Sequence, residues 1–311
     1  MAEITVKELN APVLTDVGAC IAAAEDEYHG KIAALADYLT ESGRIRIVML
    51  AGPSGSGKTT TANLLADGIR ARGEECLVVS LDDFYRDALD PEYPRAEDGE
   101  RDYECPEALH LCEVGTTLLA ISEGESFSLP KYDFKEGRRV SLTPHTPMPE
   151  GCVIIEGLHA LNPAICDMLP RDRVLKLFVS LSTNINEDGV RILSGRKLRF
   201  VRRMVRDSIY RGADAQKTLK MWEGVLKAED IYLYPYKASA DVAFDTFHRF
   251  EPGVMRSFAE ALITEELESS SEYARTVITA LRRAEHISAE LIPENSLIRE
   301  FIPGGIYEAL Y

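Results

Sequence analysis

Two patterns of apolar and polar positions alternate along this chain. Short runs that are apolar at nearly every position read as strands buried on both faces. They are Ile45–Ala51 (IRIVMLA), Cys76–Leu81, Val153–Ile155, Val174–Ser180 and Asp241–Phe244. Between most of them, apolar residues recur three and four apart, the spacing of a helix with one buried face. Ile32, Leu35, Ala36 and Leu39 keep that spacing and Gly43 follows as a stop, which predicts a helix from about Ala11 to Thr40. Tyr273, Val277, Leu281, Ala284 and Ile287 form a second stripe. It predicts a small helical appendage from about Pro252 onward, with the stripe packed as core. The segment Arg86–Pro106 is rich in Asp, Glu, Pro and Arg and has little period, so it reads as a loop or lid. Alternating strands and helices with fully apolar strands predict an α/β fold, a parallel sheet covered by helices on both faces. The expected division is a helical extension over 1–43, a main domain over 44–250 and a helical appendage over 251–311.

Composition narrows the class. The chain is 45% apolar and 28% charged, as in ordinary globular proteins. Its 35 basic and 51 acidic residues leave a net charge of −16. Such a chain repels a nucleic-acid backbone, so nucleic acid is not an expected partner. It can still bind a small anion where its few bases cluster. No apolar run approaches the roughly 18 residues of a membrane span. The start, MAEITVKELN, has no basic stretch followed by an apolar one, so no signal peptide is expected. Six cysteines without a CxxC pair suit reduced thiols and a cytoplasmic location.

The strongest chemical signal is Gly52-Pro53-Ser54-Gly55-Ser56-Gly57-Lys58-Thr59. It fits the Walker A P-loop, G-x-x-x-x-G-K-[ST], at every fixed position. It follows a predicted strand and opens a predicted helix, Thr59–Arg70, as that motif requires. Its glycines let successive backbone N–H groups point at phosphate oxygens, and the helix N-terminus adds positive potential. The candidate nucleotide contacts are therefore Gly52, Ser54, Gly55, Ser56, Gly57, Lys58, Thr59 and Thr60. Lys58 would bridge the β- and γ-phosphates, and Thr59 would hold Mg²⁺ through its hydroxyl. The fold expected is thus a P-loop NTPase-type parallel sheet, with ATP and Mg²⁺ as the cofactors.

Carboxylates fall where the next strands end. In an open parallel sheet, ligands lie beyond the carboxyl ends of strands, which places Asp82 or Asp83 near the γ-phosphate. Two consecutive residues leave a strand in different directions, so only one faces the site. Glu156 closes the strand Val153–Ile155 in the manner of a second Mg²⁺-ordering element. The densest positive charge is Arg191, Arg196, Lys197, Arg199, Arg202, Arg203, Arg206 and Arg211. Arg199, Arg202, Arg203 and Arg206 lie three and four apart and share a helical face. Such a face suits charge stabilisation of a transferred phosphoryl group. The alternatives are a solvated face paired with Glu and Asp and an RNA-binding patch. His110, His145, His248 and His286 lack spaced ligand partners. His159, two residues beyond Gly157, is read as structural unless it lines the site, and Trp222 as packing.

Together these motifs resemble the uridine kinase branch of the phosphoribulokinase/uridine kinase family, over about Arg44–Thr246. The residues that carry the likeness are the P-loop, Asp82-Asp83-Phe84-Tyr85, Pro130-Lys131-Tyr132-Asp133-Phe134, Glu156-Gly157, Arg202-Arg203-Met204-Val205-Arg206-Asp207 with Arg211-Gly212, and Ala240-Asp241-Val242. Glu25-Asp26-Glu27-Tyr28-His29 and Ser296-Leu297-Ile298-Arg299-Glu300-Phe301 look like a bacterial subgroup. The resemblance implies ATP-dependent phosphorylation of a nucleoside 5′-hydroxyl. It implies Asp82 as catalytic base, with Lys58 and Arg206 in the catalytic set, and Thr59, Glu156 and Asp82 around Mg²⁺. It implies Tyr85, Glu104, Tyr132 and Phe134 around the nucleoside, and Arg203, Arg206 and Arg211 on a closing lid, with Arg203 reaching substrate and Arg211 the nucleotide.

Three positions depart from the pyrimidine-nucleoside pattern. Gly137 stands where a His is usual, Ala213 where an Arg is usual, and Met221 where a Gln is usual. Losing polar readers lowers discrimination; Arg138 or Arg139 would have to compensate. The expected activity is a Mg²⁺- and ATP-dependent kinase converting uridine or cytidine to its monophosphate. The alternatives are a kinase for another small alcohol (a sugar, polyol or other nucleoside) and a nucleotide-binding regulator without transfer activity. The expected partners are a nucleoside and ATP, with no membrane and with self-association left open.

Overall fold

A computed structural model describes residues 2–95, 99–146 and 151–310. In chain order the elements are β1 (Glu3–Thr5), α1 (Val6–Thr15), α2 (Val17–Ser42), β2 (Ile47–Ala51), α3 (Lys58–Arg70), β3 (Cys76–Ser80), α4 (Leu111–Glu123), β4 (Phe127–Asp133) and β5 (Arg138–His145). They continue with β6 (Cys152–Glu156), α5 (Pro163–Cys166), β7 (Val174–Ser180), β8 (Asn184–Glu187), β9 (Val190–Leu193), α6 (Gly195–Tyr210) and α7 (Ala215–Tyr232). The last are β10 (Val242–Asp245), α8 (Glu251–Leu262), α9 (Glu265–Ser270) and α10 (Glu272–Leu281). Every apolar run expected to be a strand lies in one five-stranded sheet, in the order β10-β7-β2-β6-β3. All four pairings are parallel. This is the expected α/β sheet with helices on both faces.

The run of apolar residues in β2 has a direct physical cause. Val48 and Leu50 point into a cluster built with α2, α3, α6, α8 and α10, while Ile47, Met49 and Ala51 point into one built with α4 and α5. None of the five is exposed. Each large one contributes about 1.5–3 kcal/mol by burial, so a strand in this place cannot alternate with polar residues.

Both terminal segments join the first cluster. Leu9, Ile21, Tyr28 and Ile32 from the start meet Leu297, Ile298, Phe301 and Ile302 from the end within it. The single N-terminal helix expected over Ala11–Thr40 is two helices. Asp16 is extended (φ −160°), and its side chain accepts the N–H of Ala19, which starts α2 afresh. The apolar stripe of the tail also spans more than one helix. Tyr273, Val277 and Leu281 are on α10, but Ala284 and Ile287, though buried, lie beyond its end.

Two smaller sheets were not anticipated. β4 and β5 form an antiparallel hairpin. β1 pairs parallel with β8, and β8 antiparallel with β9, which ties the first residues to the middle of the chain. Among the described residues no helix is long and apolar enough to cross a membrane.

Candidate active site

The central strand β2 delivers the chain into Gly52–Gly57, and α3 begins at Lys58. Gly57 caps that helix with φ +88°, a left-handed conformation costly for any residue with a Cβ. The loop is braced from two helices, and the helix that follows it from a third. Glu229 Oε1 on α7 accepts the Ser54 N–H at 2.9 Å. Arg199 on α6 donates to the Ser54 carbonyl at 2.8 Å, Arg202 to the Gly55 carbonyl at 3.2 Å, and Arg203 to the Ser54 hydroxyl at 3.0 Å. On α2, the Tyr28 hydroxyl lies 2.6 Å from Thr61 Oγ1. Lys58 and Thr59 stay partly open to solvent, while Ser56 and Thr60 are buried. Lys58 Nζ donates to the Pro53 carbonyl at 3.3 Å.

The sheet register sets the carboxylates. Glu156 pairs in register with both Leu50 and Ser80, so β6 places it beside the P-loop strand. The Ser80 hydroxyl donates to Glu156 Oε1 at 2.7 Å. Burial, and then the charge of Asp82, push the Glu156 carboxyl up to about 7, against Lys58 and the Ser80 hydrogen bond. Asp82 and Asp83, between which the sequence leaves the choice open, differ in their surroundings. Asp83 accepts the Tyr132 N–H at 3.1 Å and pairs with Lys131 at 3.2 Å, so it fastens β4 to the strand end. Asp82 is exposed, and its charge reaches Glu156, Glu104, Tyr85 and Arg211. Glu104 has its proton affinity raised by burial, while Arg203 and Lys58 act in the opposite direction.

Beside these acids lies an aromatic cluster. Tyr85 sits 5.9 Å from both Tyr132 and Phe134, and Tyr132 sits 5.1 Å from Phe134, centroid to centroid. The Tyr85 hydroxyl is held by the Tyr103 carbonyl at 3.0 Å. Phe134 is 58% exposed, and the Arg211 guanidinium lies 5.9 Å from its ring. Tyr132 and Phe134 stand on the β4–β5 hairpin, whose turn Gly137 closes at φ +65°. A Cβ there would come within 2.9 Å of the Ala88 Cβ, so the histidine usual at this position does not fit this turn. Arg138 pairs with Glu136 and Arg139 with Glu113, so both are committed to the hairpin and α4. Met221 is about half exposed on α7, at the border of the face that buries Trp222, Val225 and Glu229.

The arginines of α6 divide into two groups, which corrects their reading as one phosphate-facing surface. Arg199 is fully paired with Glu229 through two 2.8 Å bonds, and Arg202 with Glu251 at 2.5 and 2.7 Å. All four side chains are buried. They hold the carbonyls of Ser54 and Gly55 in the loop. Arg203, Arg206 and Arg211 instead crowd one carboxylate, Asp207, at 3.3, 3.0 and 3.6 Å. Burial opposes ionisation of Asp207, but the three cations hold it below the usual carboxylate range. The Arg206 charge, then burial, lowers Arg211 to about 10. One negative charge among three positive ones leaves an excess facing Asp82 and the P-loop.

The P-loop, Asp82 and Glu156 follow or close the carboxyl ends of β2, β3 and β6, and the sequence reading gave no role to the acids that brace this region. Glu229, Glu251, Asp207 and Glu300 are buried acids, each in contact with the P-loop or its arginines. Glu229 carries a legible signal: it shares a helical face with Trp222 and Val225, where an unpaired acid would be costly. His159 is buried, is held neutral by burial with its proton affinity lowered to about 4, and lies against Tyr232. Trp222 is core, its indole N–H donating to the Tyr273 hydroxyl at 2.9 Å.

Known proteins share the sequence pattern and the fold of this chain. The model of the phosphoribulokinase / uridine kinase family matches residues 47–250. A uridine kinase of Schizosaccharomyces pombe is 29% identical over 184 residues, 59% of this chain and 36% of that protein. A uridine kinase of Deinococcus deserti is 29% identical over 205 residues, 65% of this chain and 88% of that one. The chain thus spans little more than a third of the yeast relative's length. The solved structure of the YGR205w protein shares the fold, with a TM-score of 0.50 and 16% identity over 70% of this chain and 89% of that one. The chain belongs to the phosphoribulokinase / uridine kinase family.

Proposed function

We propose that this chain is a kinase that transfers the γ-phosphoryl group of ATP to the 5′-hydroxyl of a nucleoside, uridine or cytidine. The observation that carries the reading is a convergence. The charge of the exposed Asp82 acts on Arg211, one of three arginines that share the carboxylate of Asp207, and on Glu156 beside the P-loop strand. In the transfer, the bond from the γ-phosphorus to the bridging oxygen of ADP breaks and a bond to the substrate oxygen forms. The substrate proton goes to the exposed Asp82 carboxylate. Lys58, Arg203, Arg206 and Arg211 take up the charge spread over the phosphoryl oxygens. Tyr85, Tyr132 and Phe134 offer ring faces to a base, and Glu104 accepts from ribose hydroxyls.

The residues present also suit Mg²⁺. Glu156 is a buried acid under repulsion from Asp82, and a cation would relieve both. Among the described residues no cluster of three or more His, Cys, Asp or Glu could hold a metal by itself. Mg²⁺ is ordinarily held by one or two carboxylates together with substrate phosphates, so Thr59, Glu156 and Asp82 would hold it with the nucleotide present. It would supply charge neutralisation of the polyphosphate.

An ADP-release assay against nucleosides, sugars and polyols tests the substrate. Asp82→Asn tests the mechanism: turnover is expected to fall about 10²–10⁴-fold with ATP binding kept. Full turnover by that variant would remove Asp82 from the reaction. A second reading, phosphorylation of a different small alcohol, is favoured by the Gly137 turn, which leaves no side chain to read a base. Turnover confined to a sugar or polyol would select it. ATP binding with no turnover of any alcohol would select a regulator.

A further inference from the structure

The first turn of an α-helix leaves backbone N–H groups without internal partners, and a P-loop offers those groups to phosphate. In α3 the Thr61 N–H returns to the Gly57 carbonyl at 3.0 Å. The Thr60 N–H does not. It donates at 3.1 Å to Glu300 Oε2, a residue 240 positions away in the tail, and both residues are buried. The tail continues along the loop. Leu297 packs so closely against Gly57 that an added Cβ would meet its methyl groups at 2.7 Å. The Phe301 ring lies 4.9 Å from the Arg202 guanidinium, which itself binds the Gly55 carbonyl. Leu297, Ile298, Phe301 and Ile302 are fully buried, so this segment is anchored, and the Ser296 hydroxyl fixes its turn by accepting the Ile298 N–H at 3.2 Å. The charge of Glu300 also reaches Glu156, across the site.

We propose that Glu300 is a built-in competitor of the phosphate donor: its carboxylate occupies a P-loop N–H that donor phosphate would take, and its charge opposes the polyphosphate, so the tail sets donor affinity. This inference rests on the reading of the P-loop as the ATP site. It gives a use to a tail motif that the transfer chemistry does not require. Gln at this position keeps an oxygen for the Thr60 N–H and the shape of the packing while losing the charge. Removing one negative charge a few ångströms from a polyphosphate is expected to tighten it about tenfold.

The test is ATP titration with Mg²⁺ on the full chain, comparing wild type, Glu300→Gln and Lys58→Ala. The expected result is loss of binding in Lys58→Ala and a dissociation constant about tenfold lower in Glu300→Gln, with the melting temperature held. An equal or weaker affinity in Glu300→Gln overturns the proposal and makes Glu300 a brace of the loop. A wild type that does not bind ATP, or whose binding survives Lys58→Ala, overturns the ATP-site reading and the proposal with it. Hydrogen exchange on the wild type covers a variant that does not fold. Amides of residues 296–302 are expected to exchange faster when ATP binds, and slower or unchanged exchange counts against competition.

Discussion

Glu229→Gln separates what braces the P-loop from what performs chemistry. The wild-type carboxylate makes two 2.8 Å bonds to Arg199 and accepts the Ser54 N–H, with both side chains 1% exposed. Gln can keep the oxygen that faces Ser54 N–H, but it turns the second bond to Arg199 into an encounter of two donors and leaves a guanidinium buried without its counter-charge. Breaking a buried pair from one side costs about 3–5 kcal/mol. Unfolding entropy of about 2.1 cal/mol/K per residue gives a chain of 311 residues roughly 0.65 kcal/mol/K, so the melting temperature should fall by about 5–8 °C. Arg196→Ala is the control. Its pair with Asp230 is about half exposed and is worth about 0–1 kcal/mol, under roughly 2 °C. The double variant Arg199→Met/Glu229→Leu removes both charges and should recover most of the stability. It also removes the partners of the Ser54 N–H and carbonyl, so its KM for ATP should rise while its melting temperature returns. Thermal unfolding followed by circular dichroism, with ATP kinetics on each variant, reads all three. A Glu229→Gln shift no larger than the Arg196 control refutes the reasoning, as does a double variant less stable than Glu229→Gln.

Two further predictions follow from the same geometry. Phe134→Ala removes the exposed member of the aromatic cluster; at about 1–3 kcal/mol for a base stacked on a ring, the KM for the nucleoside should rise about 5- to 150-fold with the KM for ATP unchanged. Unchanged nucleoside kinetics would place the base elsewhere. His248 is fully buried, and burial, then the charge of Arg202, lowers its proton affinity to about 3 from an ordinary 6.5. The folded state therefore binds fewer protons than the unfolded chain between those values. Its contribution to stability is complete above pH 6.5 and is lost as pH falls toward 3. Denaturant unfolding at stepped pH should show a smaller loss for His248→Phe than for wild type across that window, and parallel curves would dismiss the histidine as a cause.

The sheet was legible because its strands are buried on both faces, and burial on both faces writes an uninterrupted apolar run. The P-loop was legible because its chemistry fixes residue types at fixed spacing. The β4–β5 hairpin was not, since nearly every residue of β5 is exposed or partly exposed and so carries no alternation. The break at Asp16 was hidden because α1 and α2 bury residues of one cluster, and a continuous stripe conceals an interruption at a polar residue. The arginines were legible as a cluster but not as two groups. Arg199 and Arg203 are one helical turn apart, and only the fold reveals that the first meets Glu229 and the second a carboxylate shared three ways.

That division explains how a chain of net charge −16 can build a receptor for a polyanion. Positive potential needs arginines whose counter-charges are withheld, but buried arginines without counter-charges destabilise the fold. The two demands are met on one helix by depth. Arg199 and Arg202, which are fully buried, each receive a whole carboxylate and are used to hold loop carbonyls. Arg203, Arg206 and Arg211 retain some exposure and share one carboxylate, so solvent carries part of their charge. The charge of Arg206, ahead of burial, lowers Arg211, as such crowding of cations requires. The shared Asp207 keeps the three together without neutralising them. A second carboxylate introduced there would gain stability and lose affinity for phosphate.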